Sequence, residues 1–378
     1  MPLGARQVDA PVVVVGGGPV GSTLGLLIPD ALVLERAQFP RDKVCGEGLM
    51  PAGVKVLRSA GLDLGGGGFP RIRGVRYHLS AGASVRSDFL EGCGYGTRRL
   101  RFDAVVARQG RVRPGVTVTG MRVHADRVEL ETSLGPLTTA CVIGADGLRS
   151  TVSALMGWRQ PPPGGGRYAV TGHIETAAIL EDIEVTLFGT VETYLAPTGE
   201  GEALFAVMGS RGAFRGAGQT VLDVYQELLR RSRPDLGTAP VIGHLKGAGP
   251  FNLRPRRVAQ GRVFLVGDAA GFLDPLTGDG MTAGLQQAAA LSGLLAADPA
   301  TAPGRYQRFW ASQWRRRRVV SRLALTLSRS QGLGDRAVRG LQRRPVALQR
   351  LMTVNQGLAG LGHLSPRDWA ALLGAPWG

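Results

Sequence analysis

Val12–Val15 is a β-branched run, too short for a helical repeat and suited to a parallel strand buried on both faces. Gly16-Gly17-Gly18-Pro19-Val20-Gly21 follows without a spacer. Ser22 to Ile28 then reads as a helix, and Ala31–Leu34 as a second strand ending in Glu35. Two further apolar runs end in glycine turns. Val142-Ile143 leads into Gly144-Ala145-Asp146-Gly147. Val263–Val266 leads into Gly267-Asp268, then the Pro275–Met281 loop and a long helix through about Ala297. Between these the texture changes. Arg167–Ile174, Ile183–Phe188, Glu192–Ala196 and Ala203–Met208 alternate or are β-branched, and glycine turns bound them, which predicts antiparallel strands. Val75–Leu79 predicts an edge strand and Thr220–Ser232 a covering helix. The PPPGGG run at 161–166 reads as a connector into this sheet. Beyond residue 300, Arg305–Gly332, Pro345–Leu361 and Pro366–Leu373 read as helices.

The first turn has a mechanical logic. Gly16 permits a tight bend, Gly18 lets the backbone approach a pyrophosphate, and Gly21 lets helix and strand pack closely. The helix N-terminus offers unpaired N–H groups and a partial positive charge to phosphates. Glu35 lies 19 positions after Gly16, close to the roughly 20-residue offset at which an acid meets a ribose hydroxyl pair.

Length and charge bound the rest. A chain of 378 residues fits one large α/β unit or two closely joined domains. No apolar run reaches the roughly 18 residues that span a bilayer, and the first residues lack an apolar signal core, so a cytoplasmic location is expected. The odd, sparse set Cys45, Cys93 and Cys141 excludes a disulfide framework, and five scattered histidines offer no metal-ligand spacing. The net charge of +16 favours anionic partners, but no basic–aromatic stacking pattern accompanies it, so nucleic-acid binding is not expected. Trp310, Trp314 and Arg315–Arg318 suggest a basic amphipathic surface for peripheral membrane contact.

The three turns, in this order, resemble the GxGxxG, DG and GD motifs of the FAD-dependent aromatic hydroxylases, the group A flavin monooxygenase superfamily. Within it, Phe39-Pro40-Arg41-Asp42-Lys43-Val44-Cys45-Gly46-Glu47-Gly48 resembles the PRxKxCGxG segment of the geranylgeranyl reductase-like branch. Tyr95–Asp103 resembles its YGxxRxxFD stretch. The resemblance implies an α/β fold: a Rossmann-like FAD-binding domain of the glutathione-reductase type (1–68, 96–165 and 250–300), interleaved with an antiparallel β-sheet substrate domain (69–95 and 166–249), with C-terminal helices (301–378). It implies that FAD is held by Gly16, Gly18, Pro19, Val20, Gly21, Glu35, Arg36, Lys43, Cys45, Gly46, Arg99, Asp146, Gly147, Gly267, Asp268, Pro275, Gly278, Asp279, Gly280 and Met281. Cys45 and Glu47 are the candidate catalytic residues. The implied activity is a monooxygenase that uses NADH or NADPH and O₂ to hydroxylate a phenolic or lipid-like aromatic. The alternative is a reductase of prenyl or quinone-lipid double bonds. Two departures matter. The WxWxIP segment of the halogenases is absent, which disfavours halogenation. The Glu192–Gly199 stretch lacks the tryptophan of the prenyl reductases' aromatic segment.

Overall fold

The computed structural model describes residues 8–79, 82–162, 166–214 and 219–374. The first seven residues, the centre of the PPPGGG connector (163–165) and Trp377 lie outside the described residues.

The β-branched runs form the centre of an eight-stranded sheet. Ala10–Val15 lies between Ala31–Glu35 and Gly135–Gly144, parallel to both, with Val12 opposite Ala31 on one side and Cys141 on the other. Val263–Leu265 continues the parallel set beyond Gly135–Gly144. Val13, Val14, Val142 and Ile143 are fully buried, as strands covered on both faces require. Because these strands run the same way, their C-terminal ends, and the three glycine turns on them, emerge at one edge. An antiparallel extension, Val118–Val123 with Val128–Thr132, pairs onto the first half of Gly135–Gly144; the sequence reading had no elements there.

A second, seven-stranded sheet runs in the order Val241–Ala248, Arg167–Glu175, Glu202–Ser210, Val191–Gly199, Asp182–Leu187, Gly74–Leu79, Ser84–Asp88. Gly74–Leu79 is therefore not an edge strand. It pairs in parallel with Asp182–Leu187 and antiparallel with Ser84–Asp88, which takes the edge. The other edge, Val241–Ala248, went unread because its sequence, VIGHLKGA, alternates poorly. The helix Val221–Ser232 covers one face, with Tyr225, Leu228 and Leu229 packed on Phe205 and Val207. Thr220 caps it, exchanging hydrogen bonds with Asp223.

The C-terminal region is four α-helices rather than three: Ala302–Arg329, Gln331–Arg343, Pro345–Asn355 and Pro366–Leu373. Ser330 breaks the expected Arg305–Gly332 helix and caps the next one. These helices pack largely on the second sheet, where Val320, Val338, Leu341 and Leu348 meet Val75 and Val85. The two tryptophans expected on a membrane-facing surface are instead buried. Trp310 and Trp314 stack on each other at 5.3 Å and Trp310 donates to the Ala270 carbonyl at 2.9 Å. Among the described residues, no helix is long and apolar enough to cross a membrane.

Candidate functional site

The first glycine turn bends at Gly16, whose φ of +107° an L side chain rarely adopts, and a Cβ there would lie 2.6 Å from the Ala145 carbonyl oxygen. A Cβ on Gly21 would overlap the Gly16 carbonyl, so Gly21 sits under the turn and lets the helix Pro19–Leu27 start against it. That helix begins three residues earlier than expected, because Pro19 is well suited to a first helical position. Gly18 differs from both. The nearest atom to its Cβ position is Arg41 Nη2 at 3.6 Å, and the rest is open space. A side chain at Gly18 would fill the trough described next.

Two connected spaces form that trough, an inner cleft of about 1200 Å³ and an outer one of about 930 Å³. They share Gly18, Lys43 and Ala145. The outer end is lined by Gly16, Glu35, Arg36 and Asp146. The inner end is lined by Pro19, Val20, Cys45, Gly46, Arg99, Gly147, Gly267, Asp268, Pro275, Gly278, Gly280 and Met281. The three turns, far apart in sequence, thus converge on one elongated space. Asp279 is the exception. Its carboxylate accepts from Arg317 Nε at 2.5 Å and from the Thr277 hydroxyl at 2.7 Å, and it is not among the cleft's lining residues. Its carboxylate is turned to those partners and anchors the start of the helix Gly280–Ala297, whose N-terminus borders the cleft.

The charges suit an elongated ligand of hydroxyls and phosphates. Glu35 holds the turn by accepting from the Gly17 and Ala37 N–H groups at 2.9 and 3.0 Å. Asp146 Oδ2 accepts from the Thr151 and Val152 N–H groups at 2.6 and 3.1 Å, while Oδ1 is buried without a partner. Burial pushes that carboxyl up, and a donor hydroxyl in the trough would satisfy it. The Asp268 carboxylate, at the cleft's wall, has no hydrogen bond among the described residues. Lys43 borders both spaces, its Nζ 2.8 Å from where Gly147 would carry a Cβ. Its side chain meets solvent in the open cleft, yet the enclosing walls strip bulk water from it, and this, with Arg99 nearby, pushes its ammonium below the ordinary lysine value. Arg99 itself is committed, its fork closed on Asp103 at 2.6 and 2.7 Å. The cation nearest Gly18 is Arg41, of the segment Phe39–Gly48. It also bridges Glu35 and Asp103 at 3.3 and 3.1 Å.

Cys45 and Glu47 lie in the irregular segment before the strand Gly48–Leu49 but face different duties. Burial pushes the Cys45 thiol up, with Arg99 only partly opposing, so it keeps its proton at neutral pH. Glu47 holds φ +58° and is buried. Its carboxylate accepts the Arg99 N–H at 2.8 Å and shares a hydrogen bond with His173 Nε2 at 2.9 Å. Those partners pin Glu47, itself a lining residue of the inner cleft, between the helix Arg99–Gln109 and the second sheet. The sequence predicts the sheet of the opposite wall but not the residues that line it. Ala169, Thr171, Tyr194, Ala206 and Met208 project from one face of the second sheet, with Ala169 opposite Met208, Thr171 opposite Ala206, and Ala206 opposite Tyr194. The period-two pattern carries this signal, since every second residue of a strand shares a face. Burial raises the Tyr194 phenol, and Cys45 and Glu47 nearby add to the effect.

A trough of this length, with a glycine cradle at its middle, an orphaned acceptor at one end and a carboxylate and helix N-terminus at the other, fits FAD. Fold and site together define an FAD-dependent oxidoreductase. A family model described as "FAD binding domain" matches residues 108–320, more than half of the chain, and the chain belongs to that family. It is 28% identical to a menaquinone reductase of Mycobacterium tuberculosis over 96% of this chain and 94% of that protein. It is 28% identical to a rifampicin monooxygenase of Streptomyces venezuelae over 76% of this chain and 64% of that protein. Among solved structures, a flavoprotein/dehydrogenase from Cytophaga hutchinsonii shares the fold with a TM-score of 0.80, at 17% identity, over 92% of each chain.

Proposed function

We propose that the chain is a flavin-dependent reductase of an isoprenoid quinone lipid, with NADH or NADPH as the transient source of electrons. One observation carries the reading: two acids, Cys45 and Tyr194, line the inner cleft where it meets the second sheet, while its unpartnered carboxylate, Asp268, lies on the glycine-aspartate turn that the FAD reading uses. The Cys45 thiol and the Tyr194 phenol are both held protonated by burial. The carboxylate that could have served as a base, Glu47, is spent on Arg99 and His173. Reduction of a double bond needs a hydride and a proton, whereas hydroxylation of a phenol is helped by a base that removes the phenolic proton. FAD, when bound, supplies the hydride. The chain's part is to donate the proton, and Cys45 is placed for it, beside Arg99 at the cleft wall. The wall toward the second sheet is largely apolar, with Ala169, Ala206, Met208, Ala248, Phe251 and Phe272. On this reading the second sheet serves as a substrate domain interleaved with the FAD-binding segments. The end-to-end similarity to a menaquinone reductase points the same way.

The similarity to a rifampicin monooxygenase keeps a second reading, hydroxylation with O₂. Anaerobic turnover separates the two. A reductase oxidises NADH or NADPH in the presence of a menaquinone under argon, and Cys45→Ala slows that turnover at least tenfold with FAD content intact. Turnover that appears only with O₂, and yields a hydroxylated product, would establish the second reading instead.

A further inference from the structure

The inner cleft has a side opening. A further pocket, of about 620 Å³, shares Lys43 and Thr171 with the cleft and is also lined by Asp42, Arg98, His173, His244 and Lys246. His244 is exposed, so the pocket opens to solvent. A break in strand register makes it. Thr171 pairs with Lys246, but His173 pairs with Ile242, so the edge strand has three residues where its neighbour has one. That spare segment bulges, with Gly243 at φ +71°, and lines the pocket instead of closing the sheet. Ala169, Thr171 and His173 share one face by the period of two. The first two line the cleft, and the last two line the pocket.

A hydrogen bond crosses from cleft to pocket. Glu47 lines the cleft and is 1% exposed, and its Oε2 meets Nε2 of His173, on the pocket wall, at 2.9 Å. The pair sits among charges of both signs. Arg98 stands 3.6 Å from the other Glu47 oxygen and also holds Asp42 at 2.9 Å and Glu202 at 2.7 Å. Glu202 lies 3.9 Å from His173 Nε2, and Lys246 holds Asp42 at 2.8 Å. On the cleft side stand Lys43, Cys45, Tyr194 and Arg99, the last closed on Asp103. Because carboxylates and cations alternate, a proton on either member of the pair leaves no isolated charge. The backbone at Glu47 is held at φ +58°, a strained conformation for a residue with a side chain. The strain is tolerated where the carboxylate reaches from one space toward the other.

We propose that the His173–Glu47 pair is the proton entry of the inner cleft, drawing from water in the side pocket. It rests on the reductase reading for the group it recharges. Reduction with NADH or NADPH takes a hydride from the nucleotide and a proton from water. Cys45, having given its proton, regains one while cofactor and substrate fill the cleft. The transfers balance without moving electrons between groups: the His173 Nε2–H bond breaks as the Glu47 Oε2–H bond forms, Glu47 passes that proton to the Cys45 sulfur, and the imidazole takes another from the pocket's water. The bond to His173 that keeps Glu47 from acting as a free base is the bond that feeds it.

The first test needs no substrate. In the FAD-loaded protein, the S–H stretching band lost in Cys45→Ser is followed by infrared spectroscopy after transfer to D₂O. Glu47→Gln keeps an acceptor for the Arg99 N–H and a partner for His173 but cannot pass a proton. S–H exchange should therefore slow by about tenfold or more, and His173→Gln should match it. A purely structural pin predicts the opposite sign, since a loosened segment admits water and exchanges faster. In anaerobic quinone reduction, His173→Gly should lose about tenfold or more in kcat, and added imidazole should restore much of it while leaving Glu47→Gln unrescued. The exchange rates decide alone if His173→Gly does not fold. Exchange in Glu47→Gln at or above the wild-type rate, or no imidazole effect on a folded, yellow His173→Gly, would overturn the proposal and leave the reductase reading standing. Slowed exchange in the variants, with no anaerobic quinone reduction by the wild type, would keep the proton entry and overturn the reductase reading.

Discussion

The ion pair between Arg317 and Asp279 ties the C-terminal helices to the flavin end of the cleft. Arg317 belongs to the helix Ala302–Arg329, and Asp279 precedes the helix Gly280–Ala297, whose first residues line the cleft. The two side chains are 6% and 3% exposed, with Nε–Oδ2 at 2.5 Å and Nη2–Oδ1 at 3.4 Å. Replacing Arg317 by Met keeps much of the volume but leaves the Asp279 carboxylate buried, with the Thr277 hydroxyl as its one side-chain hydrogen-bond partner among the described residues. Breaking a buried pair in this way typically costs about 3–5 kcal/mol, most of it the stranded charge. For a chain of 378 residues, that corresponds to a fall in Tm of about 4–6 °C. The assay is thermal and urea unfolding of the FAD-loaded protein for the wild type, Arg317→Met, Asp279→Asn and the double variant. The double variant removes the stranded charge, so it should recover most of the loss seen in Arg317→Met. Loss of less than about 1 kcal/mol in Arg317→Met, or a double variant as unstable as the single, would refute the argument that an unpaired carboxylate is the cause.

Four other outcomes are expected. Gly18→Val should purify folded by circular dichroism but colourless, since beyond an ordinary contact with Arg41 its side chain meets the open trough. Asp268→Ala should remove a charge-assisted hydrogen bond worth about 1.5–3 kcal/mol, read as an FAD Kd raised about ten- to hundred-fold with the far-ultraviolet spectrum unchanged. Asp368 caps the last helix and is held by Arg344 and Arg350 at 2.7 Å each; burial alone would raise its carboxyl, but Arg350, Ser365 and Arg344 outweigh it and hold it well below the usual range. Its contribution to stability is therefore complete above the unfolded value of about 3.9 and fades as pH falls below it, so Asp368→Asn should narrow the difference between Tm at pH 7 and at pH 3. Arg315, Arg318 and Arg322 remain exposed on their helix, and salt-sensitive sedimentation with anionic vesicles would support peripheral membrane contact, while none at low salt would remove it.

The parallel core was legible because its signal is local. Val12–Val15 and Val263–Val266 are apolar without interruption and end in glycine, and a strand covered on both faces can be written no other way. The structure brings those turns together with Lys43, Cys45 and Gly46, which only the resemblance had selected. What stayed illegible depends on partners distant in sequence. Glu47 reads as a free acid until Arg99 and His173 are seen closing on it from 52 and 126 residues away. Asp279 lies between two cleft-lining glycines, and only Arg317, 38 residues on, turns it aside. Trp310 and Trp314 beside four arginines mimic an interfacial helix. Their periodicity does not reveal that the second glycine-aspartate turn lies over them: a Cβ on Gly271 would come 2.7 Å from the Trp314 ring.

The helix Ala302–Arg329 joins the nucleotide-binding core to the second sheet through one element. Twenty-eight residues of helix reach about 42 Å at the standard rise, enough to cross both sheets. Its first half belongs to the nucleotide-binding core, where Tyr306 donates to the Leu265 carbonyl at 2.7 Å and Trp310 to that of Ala270. Its second half packs in the apolar cluster of the second sheet, through Val320, Leu323 and Ala324. Arg317, between the halves, grips the residue that starts the flavin-facing helix, and Ser328, near the end, bonds Glu192 in the same buried cluster in which Arg167 reaches Asp274 at 2.8 Å. Asp274 in turn accepts the Leu276 N–H at 3.1 Å, fixing the turn that borders the cleft. A shift of this helix along its axis would therefore move the flavin loop and the packing of the second sheet together.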